Sequence, residues 1–366
     1  MLSAGLAVVL LTGVAAVAGC GTSDTTGTTS TTKAVSAFKG TSLVGAGATF
    51  PAPVYAAWTQ SFNKIETGAK INYQAVGSGG GIEQFTAKTV DFGATDVPLK
   101  DAEAAKITGS YVEFPTCLGA VVVSYNLKDV STPLKLDGPT VADIFLGKIT
   151  KWNDAAIAAQ NSGVNLPATT IQIVHRADSS GTTSIFTNWL KGQSSEWGTK
   201  VGADKAVEWP KGQGGNGNAG VAAAMKQTEG SIGYMELQYA ASTGLGVASI
   251  KASDGTYVVP STESVGKAAA GLSFPISETT NILDSKTAGA YPISSATYIL
   301  IYTEQSDKDK AQTVVDFWNW ALTSGQDDLG ALSYGALPEN VRTDALAELA
   351  KVTVNGTAIA PTASAK

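Results

Sequence analysis

The sequence predicts an α/β protein of two domains with a ligand cleft between them. Strand-like and helix-like segments alternate along the 366 residues, the pattern of α/β architecture with largely parallel sheets. That length exceeds one ordinary domain, so a pair with a cleft is the simplest arrangement. The third observation is a set of four polar, glycine-rich loops: Gly45-Ala46-Gly47-Ala48-Thr49-Phe50, Gly77-Ser78-Gly79-Gly80-Gly81, Asp91-Phe92-Gly93-Ala94-Thr95-Asp96 and Arg176-Ala177-Asp178-Ser179-Ser180-Gly181-Thr182. Three of them follow a predicted strand and open a predicted helix. Backbone N–H groups are unpaired there, and an anion can be held with little positive charge.

Each element has a local reason. Ser42 to Ala46 is a short strand, and Pro51 and Pro53 mark a helix start, since proline tolerates the first turn. Val54, Trp58, Phe62 and Ile65 then recur at helical spacing. Lys70 to Val76 alternates as a strand, and Ile82 and Phe85 begin a second helix. Val90 to Gly93 is a strand ending near Asp96, and the β-branched run Leu118 to Tyr125 reads as a buried strand. Helices are expected over Thr140 to Leu146 and Trp152 to Gln160. Thr170 to His175 is a strand running into the Arg176 loop, with a helix over Thr183 to Leu190. Gly212 to Gly220 reads as a loop, Val221 to Gln227 as a helix and Ser231 to Tyr234 as a strand. Asp254-Gly255 and Asn355-Gly356 are hairpin signals. Pro292 to Tyr302 is a second buried strand, and Thr313 to Thr323 is a helix whose Trp and Phe residues read as core.

Composition narrows the function. Hydrophobic residues make up 43% and charged residues 15%, as in a folded globular protein. The net charge is −6 with no basic cluster, which argues against nucleic acid as a partner. An anionic ligand would have to be drawn in by local dipoles and a few residues, not by the overall field. With one histidine, His175, and two cysteines, Cys20 and Cys117, no zinc-type ligand set can be assembled. No cofactor is expected, and no phosphate-loop NTPase signature occurs. Ser78 among glycines faintly suggests a nucleophile elbow, but Val76 occupies the first glycine position. Ser61 to Lys64 fits S-x-x-K without its partner motifs. Catalysis is therefore disfavoured.

The N-terminal segment points to the compartment. The apolar run from Leu6 to Ala18 is shorter than the roughly 20 residues needed to cross a bilayer and matches a signal-peptide core. It ends in Val17-Ala18-Gly19-Cys20, a lipobox-like pattern in which Cys20 is lipidated; a plain secretory signal is the alternative. No Lys or Arg precedes the run, so the true start is expected upstream. Residues 1–20 form this signal, and 21–41, rich in Thr, Ser and Gly, a flexible tether. Cys117 is left alone in an apolar strand, as a buried, inert thiol.

The loops carry complementary chemistry. Thr49, Ser78, Ser180 and Thr182 supply hydroxyls, and Phe50 and Gly181 supply backbone N–H groups at helix starts. Arg176 is a planar cation suited to paired hydrogen bonds with an oxyanion. Asp178, two residues on in an extended segment, shares its side and can orient it. Asp96 only accepts hydrogen bonds when ionised. Beside an anion it repels, unless that anion carries a proton to donate; phosphate near neutral pH does and sulfate does not. Such a carboxylate would be a selectivity device. Blander readings fit the same residues: an ordinary surface ion pair for Arg176 and Asp178, a helix N-cap for Asp96, plain turns for the glycine loops.

Taken in order, Gly45-Ala-Gly-Ala-Thr-Phe-Pro-Ala-Pro-Val-Tyr, Val90-Asp-Phe-Gly-Ala-Thr-Asp, Leu146-Gly-Lys-Ile-Thr-Lys-Trp and Arg176-Ala-Asp-Ser-Ser-Gly-Thr resemble the phosphate-binding subunit of the bacterial high-affinity phosphate ABC importer. The resemblance runs from about Ser42 to near the C-terminus. It implies a two-domain, type II periplasmic-binding-protein-like fold, with domain I formed by 42–117 and 292–366 and domain II by 118–291. It implies phosphate bound between them by Thr49, Phe50 (backbone), Ser78, Asp96, Arg176, Ser180, Gly181 (backbone) and Thr182, with Asp178 as the arginine's partner. It also implies a monomer outside the cytoplasm, anchored to the cell membrane through Cys20, that works with the importer's permease subunits and a separate ATPase subunit. The family often has a second serine where this chain has Gly79, and a glycine where it has Ser179. A sulfate-like oxyanion is the alternative ligand, and a surface adhesin or signalling protein the alternative class.

Overall fold

The computed structural model describes residues 41–130, 132–276 and 281–362. The signal segment, Cys20 and the tether up to residue 40 lie outside them. The main sheet has nine strands. In chain order they are β1 (Ser42–Gly47), β2 (Lys70–Ala75), β3 (Phe92–Thr95), β4 (Tyr111–Tyr125), β5 (Gln172–Arg176), β6 (Gln213–Gly215), β7 (Ser231–Glu236), β8 (Gly246–Val247) and β9 (Ser294–Tyr302). Across the sheet the order is β2-β1-β3-β9-β4-β7-β5-β6, with β8 beside β4.

The strands are not largely parallel, as the alternation suggested. β1, β2 and β3 run parallel at one end, and β5, β6 and β7 at the other. Between them β9 and β4 form an antiparallel seam, β9 pairing with β3 and β4, and β4 with β7. A strand buried on both faces is apolar throughout whichever way its neighbours run, so direction is invisible in its sequence. β4 also begins at Tyr111, ahead of the apolar run, and continues through Cys117 without interruption.

The helices that matter for the site are α1 (Ala52–Ile65), α2 (Ser78–Thr86), α3 (Gly181–Gln193), α4 (Gly217–Gln227), α5 (Leu237–Thr243) and α6 (Lys308–Leu322). α1 buries Val54, Tyr55, Trp58 and Phe62, while Ile65, its last residue, is 44% exposed. Trp58 and Tyr55 pack edge-on against Trp318 of α6, and Phe62 against Phe317, so the C-terminal aromatics are core. Edge-on geometry suits the ring quadrupoles and adds to area burial. The Trp58 indole N–H donates to the Gly325 carbonyl at 2.7 Å, satisfying the one polar atom of that side chain. Both hairpin signals hold: antiparallel pairs flank Asp254-Gly255 and Asn355-Gly356. The segment Gly212 to Gly220 is not a loop throughout; it supplies β6 and the first turn of α4. Cys117 is buried and unpaired, and burial pushes its thiol pKa up.

Candidate functional site

Because β1, β2 and β3 are parallel, their C-terminal ends lie on one side of that half of the sheet. β5, β6 and β7 do the same in the other half. The crevice outside the carboxyl ends of such strands is where α/β folds bind ligands. Thr49 and Phe50 follow β1, Ser78 follows β2 and Asp96 follows β3. Arg176 ends β5, with Ser180, Gly181 and Thr182 just beyond it, and Asn218 follows β6.

Ser78 Oγ sits at the centre of one cluster. It accepts the N–H of Asp96 at 3.2 Å and that of Gly181 at 3.1 Å, and donates to Asp96 Oδ2 at 3.4 Å. Close approach of the two loops requires glycine at 181, where a Cβ would lie 2.5 Å from both Asp96 Cβ and Ser78 Oγ. Asp96 is 1% exposed, and its Oδ1 accepts the Thr297 hydroxyl at 3.0 Å. It caps no helix: the short helix Asp101–Ala104 starts after Lys100. Burial pushes the Asp96 pKa up to about 7, against the opposing pull of the Thr297 hydrogen bond, Arg176 and Ser78. Near neutral pH this carboxyl therefore exchanges between donor and acceptor.

Arg176 anchors the other cluster. It is 3% exposed, which excludes an ordinary surface ion pair. Its Nε donates to Asp178 Oδ1 at 2.7 Å and its Nη2 pairs with Asp178 Oδ2, a fork that fixes the plane of the guanidinium. Burial works to raise the Asp178 pKa, but the guanidinium outweighs it and holds the carboxyl below its ordinary value. Arg176 Nη1 donates to Thr182 Oγ1 at 3.3 Å. Ser180 caps α3 by accepting the Thr183 N–H at 3.1 Å, so that helix begins two residues before Thr183, with the N–H groups of its first turn facing these loops. His175 lies outside the cluster, stacked on Trp209 at 4.9 Å.

The structure thus brings Ser78, Asp96 and Gly181 into direct contact and sets Arg176 against Thr182, the residue after Gly181, with Ser180 at the adjoining cap. Thr49 and Phe50 join through residues that the sequence does not single out. Asn218, fully buried, donates from Nδ2 to Thr49 Oγ1 at 2.8 Å and to Thr182 Oγ1 at 3.2 Å. Tyr239 donates to the Thr49 carbonyl at 2.6 Å, and Tyr334 to the Phe50 carbonyl at 2.5 Å. The Phe50 N–H has no acceptor among the described residues. Only the asparagine gave a hint, through its place in a glycine/asparagine segment after a strand. Thr297 sits in a stretch that reads as a buried strand, and Tyr239 and Tyr334 in stretches that carry no local signal.

The donors converging here are hydroxyls, backbone N–H groups, one amide and one oriented guanidinium, with one carboxyl among them. That set suits a small, compact oxyanion that retains a proton. Among the described residues no group of three or more His, Cys, Asp or Glu side chains is placed to hold a metal ion. No helix among them is long and apolar enough to cross a membrane.

Comparison with known proteins agrees in kind. Residues 22–324 match the model of the PBP superfamily domain. The phosphate-binding protein PstS of Xylella fastidiosa (strain Temecula1) is 42% identical over 306 residues, which cover 83% of this chain and 83% of that protein. The phosphate-binding protein PstS of Pasteurella multocida is 43% identical over 303 residues, or 82% of this chain and 87% of that one. Among solved structures, a human phosphate-binding apolipoprotein superposes with a TM-score of 0.69 at 20% identity, covering 87% of this chain and 100% of that chain, a likeness of fold.

Proposed function

We propose, from the premise that this chain belongs to the PBP superfamily and within it to the phosphate-binding subunits of phosphate ABC importers, that it binds inorganic phosphate outside the cytoplasm and delivers it to a membrane permease. The family is one of binding proteins, not enzymes. The observation that carries the ligand is the buried Asp96 beside Arg176 and the Ser78–Gly181 contact.

In this reading phosphate sits among Thr49, the Phe50 N–H, Ser78, Arg176, Ser180, the Gly181 N–H and Thr182. The donors that now bond one another turn to its oxygens. Arg176, held flat by Asp178, offers two parallel N–H groups to one edge of the anion. Asp96 accepts the proton that phosphate carries, or shares its own. Above the Asp96 pKa a fully ionised sulfate would instead face the carboxylate with no proton between them. Most of the donors are uncharged, so the ligand is held chiefly by fixed dipoles, with Arg176 as the one cationic contact to break on release.

The two halves of the sheet act as the two domains, 42–117 with 292–366 and 118–291. The boundary falls inside β4, about which they turn. The chain works as a monomer, and Cys20 carries the lipid that holds it to the membrane. Calorimetric titration of the unmodified protein with phosphate, and of Arg176→Ala, tests the ligand. Saturable binding by the first, weakened roughly a hundredfold or more in the second, is expected from loss of a charge-assisted bidentate contact. Absence of binding by the unmodified protein refutes the proposal.

A further inference from the structure

Behind the Phe50 peptide lies a hydrogen-bond chain whose protons can be counted. Tyr334 Oη is 2.5 Å from the Phe50 carbonyl oxygen and 2.7 Å from Glu236 Oε2. A carbonyl only accepts, and a tyrosine hydroxyl has one proton to give. If that proton goes to Phe50, the contact with Glu236 is a hydrogen bond only when the carboxyl is the donor. If it goes to an ionised Glu236, two bare oxygens face each other at 2.5 Å. The first assignment satisfies both contacts; the second leaves a repulsion.

The surroundings favour the same assignment. Glu236 is fully buried, and its Oε1 has no hydrogen-bond partner. An ionised carboxylate with one oxygen unsatisfied in the interior is costly, a neutral acid much less so. The titratable groups set against it are Tyr334, Tyr239 of α5, Cys117 of β4 and Asp96 beyond β3, and none of these is a cation. Burial holds its pKa well above the ordinary range.

Glu236 also touches both sides of the candidate site. It ends β7, in the half of the sheet that carries Arg176, and Oε2 caps α5 by accepting the Gln238 N–H at 2.9 Å. Its backbone N–H donates to Asn218 Oδ1 at 3.1 Å, which aims Asn218 Nδ2 at Thr49 and Thr182. Tyr334 and Phe50 belong to the other side. Tyr239 of α5 grips the Thr49 carbonyl, whose peptide bears the Phe50 N–H, and a hydrogen bond to a peptide carbonyl strengthens that peptide's N–H as a donor.

We infer that Glu236 is a positioning residue of the anion site that works as a neutral acid, donating its proton to Tyr334 so that Tyr334 can hold the Phe50 main chain. The inference deepens the phosphate reading and rests on it for the identity of the anion. Ionisation removes the donor, so the clamp weakens as pH rises through the folded-state pKa of Glu236 and is intact below it.

Infrared difference spectra of the full chain at pH 8, unmodified minus Glu236→Gln, test the protonation, with phosphate calorimetry of unmodified protein, Glu236→Gln, Glu236→Ala and Tyr334→Phe beside them. The expected spectrum shows a protonated-carboxyl stretch that shifts in heavy water and is missing from Glu236→Gln. Glu236→Gln, which keeps a donor, is expected to bind within about threefold of the unmodified protein, and Glu236→Ala and Tyr334→Phe about tenfold more weakly. A carboxylate band in place of the protonated one overturns the assignment. So does a loss in Glu236→Gln as large as that in Glu236→Ala. Should the unmodified protein show the protonated band yet bind no phosphate, the acid stands and the ligand assignment falls.

Discussion

At the scale of single residues, Asp96 is the group whose chemistry is hardest to explain without a ligand. Its carboxyl is buried at 1% exposure, and burial lifts its pKa from 3.8 to about 7. A raised pKa means that the folded state holds the proton more tightly than the unfolded chain does. The associated stability is present below about pH 4 and is lost as pH rises toward about pH 7. Asn at this position has no proton to lose. The ligand-free Asp96→Asn protein is therefore expected to show a shallower fall in Tm between pH 5 and pH 8 than the unmodified protein, by several degrees. Parallel Tm profiles would mean that Asp96 stays ionised. Apart from Arg176 and the Phe50 backbone, the site residues named from sequence are short polar side chains and a glycine near strand ends, which stand out against apolar neighbours. Thr297 and Tyr334 do not. A threonine in a buried strand and a tyrosine in a glycine-rich tail have ordinary local patterns, and only the tertiary fold carries them to Asp96 and Phe50.

Among the elements, the site is made by strand ends that meet across an antiparallel seam. Strand and helix positions were largely legible, because caps, prolines and periodicity are local signals. Strand direction was not, nor was the strand hidden in the Gly212 segment, since glycine at a sheet edge looks like glycine in a turn. The meeting of the loops after β2 and β5 has one more local consequence. A Cβ on Gly79 would overlap the Ser179 side chain, and the Gly79 N–H donates to the Ser179 carbonyl at 3.0 Å. The serine at 179 thus fills the space left at 79, and exchanging the two residues conserves it. Gly79→Ser alone is expected to cost about 1–3 kcal/mol, as overpacking of a tight contact does. The double variant Gly79→Ser with Ser179→Gly should recover most of this loss. Denaturant titration of the four proteins measures the coupling, and strictly additive effects would show that the two positions do not share one space.

Over the whole molecule, further contacts tie the two halves together at the rim. Lys205 Nζ lies 2.8 Å from Glu103 Oε1, and Lys100 Nζ 2.7 Å from Asp204 Oδ1. The Lys100 pair is well exposed and contributes little; the Lys205 side chain is 6% exposed and matters more. With a net charge of −6 the field of the protein does not draw anions in, and we propose that the two halves close over the ligand along these contacts. Small-angle scattering is expected to give a smaller radius of gyration with phosphate than without. Superimposable profiles would contradict closure. The two-domain expectation came from length, alternation and the family resemblance; the antiparallel seam of β4 and β9 was not in it, because those strands lie far apart in sequence.

We propose that one buried carboxyl, Asp96, selects a protonated oxyanion from within a cage of fixed donors. Calorimetry with phosphate and with sulfate on the unmodified protein and on Asp96→Asn tests it most directly at about pH 9, about two pH units above the Asp96 pKa of about 7, where the carboxyl is ionised and phosphate still carries one proton. The unmodified protein is expected to bind phosphate and reject sulfate by at least about a hundredfold, roughly 3 kcal/mol, and Asp96→Asn to narrow that ratio chiefly by gaining sulfate. Sulfate bound as tightly as phosphate by the unmodified protein, or a ratio unchanged in Asp96→Asn, would contradict it.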